Sequence, residues 1–271
     1  VPTVSGRSLR VALIQLRATR SKEESLKRIN QLLSRVAREE PDLVALPEYS
    51  MMDPTGLGPG EVLRIAEPLD GPWARFFEDV ASEHGFHIVF TMFEKREGFS
   101  KAFNTAVLVG PGGPRIVYRK THLFDAMGYR ESDLFEKGSE LSSIAEVNGF
   151  RVGLAICFEI RYPEIFRSLA LRGADAVVVP AGWYRGPVKE EQIAFLARTR
   201  SHENTMYTVV PVLYGDNFTG RSLVTDPYGV VLVDAGIGER VVVAELSSDV
   251  LEEARRTFPL LRLRRPELYR L

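Results

Sequence analysis

Short apolar runs and stretches of helical spacing alternate along the chain, and each rhythm predicts its own kind of element. Residues 10–16 (RVALIQL) are apolar and rich in branched side chains, as a strand buried on both faces should be. Ser21 with Glu24 three positions on forms a capping box, and Leu26, Ile29, Leu32, Leu33 and Val36 follow at helical spacing. An amphipathic helix is predicted there, ended by Pro41. Residues 43–46 give the next buried strand, and Pro47-Glu48 puts a carboxylate just past its end. Pro72 opens a second helix that turns Trp73, Phe76, Phe77 and Val80 inward until Gly85 stops it, and residues 86–93 return as a strand.

Residues 104–109 and 115–119, joined by Gly110-Pro111-Gly112-Gly113-Pro114, predict a β-hairpin with Lys120 at its exit. Asn148-Gly149 is a type I′ turn signal between residues 144–147 and the strand 150–156, which Cys157 ends. A helix over 163–172 closes at Gly173, and a strand over 176–179 runs into Pro180-Ala181-Gly182-Trp183. Residues 189–204 read as helix and 207–212 as extended. Asp226-Pro227-Tyr228-Gly229 turns between 222–225 and 230–233, before a strand near 241–245 and a helix from Asp249. Residues 121–143 have no period, and a loop of that length inside a compact domain is more often functional than idle.

Strands alternating with helices, with hairpins among them, predict an α/β fold whose sheets are covered by helices. No linker, repeat or low-complexity tract interrupts the chain. Residues 1–271 therefore read as one domain, with a core over about 9–246 and a C-terminal helix and arm over about 247–271. In that arm Arg255, Arg256, Arg262, Arg264 and Arg265 are interleaved with Leu260, Leu261, Leu263 and Leu268. An arm packed on a partner subunit is preferred to a nucleic-acid patch.

Composition narrows the function classes. At 45% hydrophobic and 26% charged, 271 residues suffice for a sizeable core and exclude a disordered chain. Thirty-five Lys and Arg against 36 Asp and Glu leave a formal charge of -1, so neither nucleic acid nor a membrane surface is an expected partner. No apolar run approaches the roughly 18–20 residues of a membrane span, residues 1–10 lack the zones of a signal peptide, and a cytoplasmic location is expected. Twenty-eight Arg to 7 Lys, with five Asn and three Gln, suits a heat-adapted source; a GC-rich genome produces the same bias, and both readings stay open. Gly56, Gly58 and Gly60 lack the context of a phosphate loop and read as a turn. His84 and His87 are split by Gly85, so no metal pair is expected.

Three chemically capable residues stand where apolar strands end: Glu48 after LVALP, Lys120 after RIVYR and Cys157 after VGLAI. Ligand sites of open α/β sheets gather at such ends. A thiol, with an ordinary pKa of about 8.5, needs a base or a cation beside it to become a nucleophile, and Glu48 and Lys120 supply one of each. Attack on an amide or nitrile carbon would build charge that Lys120 and the Phe158 backbone N–H can stabilise, while Glu48 shuttles protons. Against this stands the plainer reading of each residue alone, an inert buried thiol and two solvated or capping charges.

The flanks decide. LPEYS around Glu48, YRKTHLFD around Lys120 and GLAICFEIRYPE around Cys157 resemble the nitrilase superfamily of carbon-nitrogen hydrolases. So do FNTAVLVGPGG, PAGWYRGPVKE, ARTRSHENTMY and GRSLVTDPYG, and together the likenesses run from near residue 10 to about 235. The resemblance implies an α-β-β-α sandwich that pairs with a second subunit across a helical face, a Glu-Lys-Cys triad on Glu48, Lys120 and Cys157, and no metal or organic cofactor. It also implies a second glutamate in the loop after the lysine, which YRESDLFEKG maps to Glu131, with Glu136 as runner-up. CFEIRYPE is similar to the version in ω-amidases, which makes Arg161 a candidate for a substrate carboxylate; an ion pair with Glu159 or Glu164 is the equal alternative. Tyr49 and Trp183 either line the pocket or fill the core, and His122 reads as a structural hydrogen-bonding residue.

The function so implied is a thiol-dependent hydrolase that cleaves a small linear amide to carboxylate and ammonia through a thioester. A nitrilase and an N-carbamoyl amidohydrolase are the enzymatic alternatives. A non-enzymatic binding protein on the same fold is the alternative from another class.

Overall fold

The computed structural model describes residues 6–269. Residues 1–5, 270 and 271, and with them part of the stretch read for a signal peptide and the tip of the arm, lie outside the described residues. In chain order the elements are Ser8–Gln15 (β1), Lys22–Val36 (α1), Leu43–Ala45 (β2), Pro59–Ile65 (α2), Pro72–His84 (α3), His87–Glu94 (β3), Ala102–Gly110 (β4) and Gly113–Arg119 (β5). Asp125–Ala126 (β6), Tyr129–Arg130 (β7), Phe135–Glu136 (β8), Ala145–Val147 (β9), Phe150–Leu154 (β10), Pro163–Leu171 (α4) and Ala176–Val178 (β11) follow. Lys189–Asn204 (α5), Tyr207–Val210 (β12), Leu223–Thr225 (β13), Val231–Asp234 (β14), Arg240–Ser247 (β15) and Ser248–Thr257 (α6) complete the chain. Among the described residues no helix is long and apolar enough to cross a membrane.

Two sheets form the centre. One has the order β15-β1-β2-β3-β4-β5, with β8 beside β4, and the other the order β14-β13-β12-β11-β10-β9. Alternation along the strands sorts side chains between layers. Val11, Leu13, Leu43, Ala45 and Val89 of the first sheet join Val152, Leu154 and Val178 of the second in one core, which continues to Phe166 and Leu169 of α4 and Ile193 of α5. Ala12, Ile14, Val44, Ile88 and Phe90 point the other way, onto Ile29 and Leu33 of α1 and Trp73 and Phe77 of α3. The result is the α-β-β-α sandwich that the sequence resemblance implies.

Local chemistry explains most of the boundaries. Ser21 Oγ accepts the N–H of Glu24 at 3.3 Å and starts α1, but the reciprocal half of the predicted box is not made, because the Glu24 carboxylate turns to Arg28 one turn on. Ile29, Leu32, Leu33 and Val36 are buried from that helix, each contributing about 1.5–3 kcal/mol. Asn148 and Gly149, at φ 45° and 78°, form the left-handed pair a type I′ hairpin requires. The region read as an open turn at Gly56, Gly58 and Gly60 holds a short helix as well: Pro59 opens α2, and Glu61 reaches back to the Gly58 N–H at 2.8 Å.

Strand direction positions the site. β1, β2 and β3 are parallel, and β5, two antiparallel steps from β3, runs the same way. β10, β11 and β12 are parallel to one another in the other sheet. The carboxyl ends of β2 and β5 thus meet those of β10 and β11 at one end of the sandwich.

Candidate active site

Glu48, Lys120 and Cys157 converge there, as the sequence predicts. Lys120 Nζ donates to Glu48 Oε1 at 2.8 Å and to Glu131 Oε1 and Oε2 at 3.0 and 2.8 Å. The three side chains are 1%, 1% and 0% exposed, so these charges interact in a dry site. Of the two glutamates weighed from the sequence, it is Glu131 that touches the lysine; Glu136 sits in β8 opposite Phe103.

Two carboxylates around one ammonium leave a negative excess, which fixed donors offset. Asn104 Nδ2 bridges Glu48 Oε1 at 2.8 Å and Glu131 Oε1 at 2.9 Å, and the Phe124 N–H and Tyr49 hydroxyl also donate to Glu131. The Gly182 N–H donates to Glu48 Oε2 at 2.8 Å. With two donors on Oε1 and one on Oε2, Glu48 keeps a single acceptor position, on the oxygen whose other contact is Gly182. Asn104 was not a candidate from the sequence. Its signal is a lone polar amide inside the fully buried strand AFNTAVLVG.

Burial works on the thiol, the ammonium and Glu131. It pushes the Cys157 thiol well above its ordinary value; Glu48 raises it further while Lys120 pulls it back. The thiol at rest is therefore neutral. Burial alone would lower the Lys120 pKa, yet Glu131 and Glu48 together hold the ammonium well above its usual range. Glu131 is raised by burial, with Lys120 opposing.

Cys157 has left-handed backbone, φ 47°, and opens a 3-10 turn, Cys157–Arg161. Its N–H donates to the Pro180 carbonyl at 2.9 Å, and the turn's own bonds begin with Glu159 N–H to the Ile156 carbonyl, so the Phe158 N–H comes before them. Tyr49, next to Glu48, is left-handed too, at φ 59°. Such conformations are costly for residues with a Cβ and collect at functional sites.

The pocket over the thiol is narrow, with a cavity of about 10 Å³, close to the size of one water molecule, and Glu48, Tyr49, Lys120, Cys157, Phe158, Arg161 and Trp183 all line it. Tyr49 and Trp183 satisfy both of their readings, being 3% and 2% exposed while forming the wall. Phe124, Gly182, Tyr184 and Lys189 complete it.

Arg161 does not make the ion pair that was its alternative reading. Its guanidinium carbon lies 4.1 Å from the Trp183 ring centroid, and it donates to Gln192 at 3.3 Å. Glu159 is occupied elsewhere: the Tyr118 hydroxyl, Thr121 hydroxyl and Thr121 N–H donate to its Oε1 at 2.7, 2.8 and 2.8 Å, and the Ile156 N–H to its Oε2 at 2.7 Å. It ties the segment after Lys120 to the turn that carries Cys157. His122 joins the same cluster through its N–H, 3.1 Å from Glu159 Oε1, and its ring packs on Tyr162. His84, at the end of α3, stacks on Phe86, and His87 opens β3.

Comparison with known proteins places these residues in a wider setting. A family model described as carbon-nitrogen hydrolase matches residues 10–256. Hydrolase Rv0480c of Mycobacterium tuberculosis is 34% identical over 271 residues, 94% of this chain and 95% of its own. The deaminated glutathione amidase of Mus musculus is 31% identical over 276 residues, 96% of this chain and 84% of its own. Among solved structures, Saccharomyces cerevisiae Nit3, a member of branch 10 of the nitrilase superfamily, superposes with a TM-score of 0.84 at 26% identity. The match covers 98% of this chain and 99% of Nit3.

Proposed function

Because this chain belongs to the carbon-nitrogen hydrolase family, we propose that it hydrolyses a small linear amide to a carboxylate and ammonia, with Cys157 as nucleophile, Glu48 as general base and acid, and Lys120 as the electrostatic partner. The observation that carries the reading is the buried set of Lys120 between Glu48 and Glu131 at the floor of the pocket that Cys157 lines. The amidase named among the relatives supports an amide over a nitrile.

In this reading a neutral thiol waits beside a carboxylate with one free acceptor position. As the sulfur attacks the amide carbon, a C–S bond forms, the thiol proton passes to Glu48, and the carbonyl electron pair moves onto oxygen. Lys120 Nζ and the Phe158 N–H stabilise that oxyanion. Collapse of the tetrahedral species breaks the C–N bond, and the proton held by Glu48 leaves with the nitrogen as ammonia. Water then attacks the thioester, giving one proton to Glu48; the C–S bond breaks, and that proton returns to sulfur. Glu131 acts through Lys120, holding the ammonium charged and in place. A reducing, cytoplasmic setting is part of the proposal, since the chemistry needs a free thiol. So is pairing of two copies across a helical face, which the exposed Phe195 on α5 and Leu171 on α4 support.

The test is ammonia release from short aliphatic amides, monoamides of dicarboxylic acids, N-carbamoyl amino acids and matched nitriles, with Cys157→Ala alongside. Turnover of amides but not nitriles, lost in the variant, is expected. Turnover retained without the thiol would overturn the mechanism, and no turnover on any of these would favour a binding protein.

A further inference from the structure

Two cations share one indole on the pocket wall. Lys189 Nζ lies 4.5 Å from the Trp183 ring centroid, and the Arg161 guanidinium carbon lies 4.1 Å from it. Lys189 is 4% exposed, yet the charged neighbours it feels are Arg161 and Cys157, and those of Arg161 are Cys157 and Tyr162; no carboxylate is among them. A buried ammonium beside a half-buried guanidinium, with no carboxylate against either, is expensive, and the indole beneath offsets only part of that cost.

The backbone adds to the cost. Lys189 is the first residue of α5, where the helix presents its positive end. The first-turn acids do not relieve it, since Glu190 pairs outward with Arg185 and Glu191 is exposed. Val188, a β-branched residue, takes left-handed backbone at φ 53° to lead into that turn. A Cβ on Gly186 would stand 3.2 Å from Lys189 Cγ, so the segment also leaves room for the lysine stem. Among the described residues no carboxylate forms an ion pair with Arg161 or Lys189 to balance this positive charge beside the thiol. A bound anion would.

We infer that Lys189 is a specificity-determining residue: with Arg161 it forms a two-cation clamp for a carboxylate at the far end of the substrate, so that the site selects acidic amides over neutral ones. The inference rests on the amidase reading for what is cleaved, but the clamp itself is a statement about binding. Arg161 offers the planar fork for a bidentate contact, and Lys189 a point charge that also draws the anion towards the end of α5. Removing Lys189 should weaken capture of the anionic substrate more than the chemistry at Cys157.

The test compares the monoamide of butanedioic acid with 4-methylpentanamide, in which an isopropyl group takes the place of the carboxylate. For Lys189→Met the ratio of kcat/KM between the two amides should fall at least about 30-fold, the change residing in KM, and Lys189→Arg should recover most of it. A fold defect would depress both amides together and leave the ratio intact, and an unchanged ratio overturns the inference. Binding of butanedioate to Cys157→Ala, followed by calorimetry, separates the two proposals: saturable binding that weakens on adding Lys189→Met upholds the clamp even if no amide is turned over. Binding that ignores Lys189, or no binding, overturns the clamp while leaving the amidase reading to stand or fall on ammonia release.

Discussion

Glu48 is bound so fully that its neighbours set what it can do. Gly182 is the tightest of them: a Cβ there would sit 2.6 Å from Tyr49 Cδ2 and 3.2 Å from Glu48 Oε2, against the one oxygen left free to take a proton. Gly182→Ala is therefore expected to lower kcat about 100-fold, since displacing a catalytic group by about 1 Å costs that much, and to lower the melting temperature as well, because overpacking against the buried Tyr49 ring costs about 1–3 kcal/mol. Steady-state kinetics beside a thermal melt checks it. The sequence makes Glu48, Lys120 and Cys157 legible because each is a reactive side chain where an apolar strand stops, with flanks that resemble one family. Asn104 and Lys189 escape the same reading. A buried amide in a strand and a lysine at the start of a helix acquire meaning only from Glu48, Glu131 and Trp183, residues brought to them by folding.

At the scale of elements, the turn carrying Cys157 and the segment following Lys120 are held to one another by Glu159. Its carboxyl stays below the usual carboxylate range although burial opposes this, because His122, Tyr118, Ile156 and Thr121 all donate to it. A folded pKa below the unfolded value of about 4.3 gives stability that is fully present above that value and lost as pH falls through the folded one. Glu159→Gln turns an N–H donor toward groups that themselves donate, and should cost about 1–3 kcal/mol at neutral pH. The deficit relative to wild type should shrink in acid, which denaturant titrations at neutral pH and below pH 4 measure. The sequence offered Glu159 only as a partner for Arg161, since adjacency along the chain is visible there and a five-donor cluster is not. α2 was hidden for a different reason: three glycines within five residues outweigh, on propensity, the Pro59 and Glu61 that start the helix.

The whole molecule turns these local arrangements into one site by facing two sheets at their carboxyl ends. Buried strands and helices could be read from period alone, but their pairing could not. β15 lies antiparallel to β1 from the other end of the chain, with Val11 opposite Ala244, and no local pattern announces such a partner. The layered arrangement came from the resemblance, not from the hydrophobic rhythm. The same arrangement puts a neutral thiol, a carboxylate and a trapped ammonium around one narrow pocket, which suits covalent catalysis through an acyl-enzyme better than activation of a free water. The most direct measurement is the partition of product between acid and hydroxamate in the presence of hydroxylamine, for an amide and a methyl ester that share one acyl group. A common thioester on Cys157 predicts the same ratio from both, with both products lost in Cys157→Ala. Ratios that depend on the leaving group, or hydroxamate still formed without the thiol, would contradict the account.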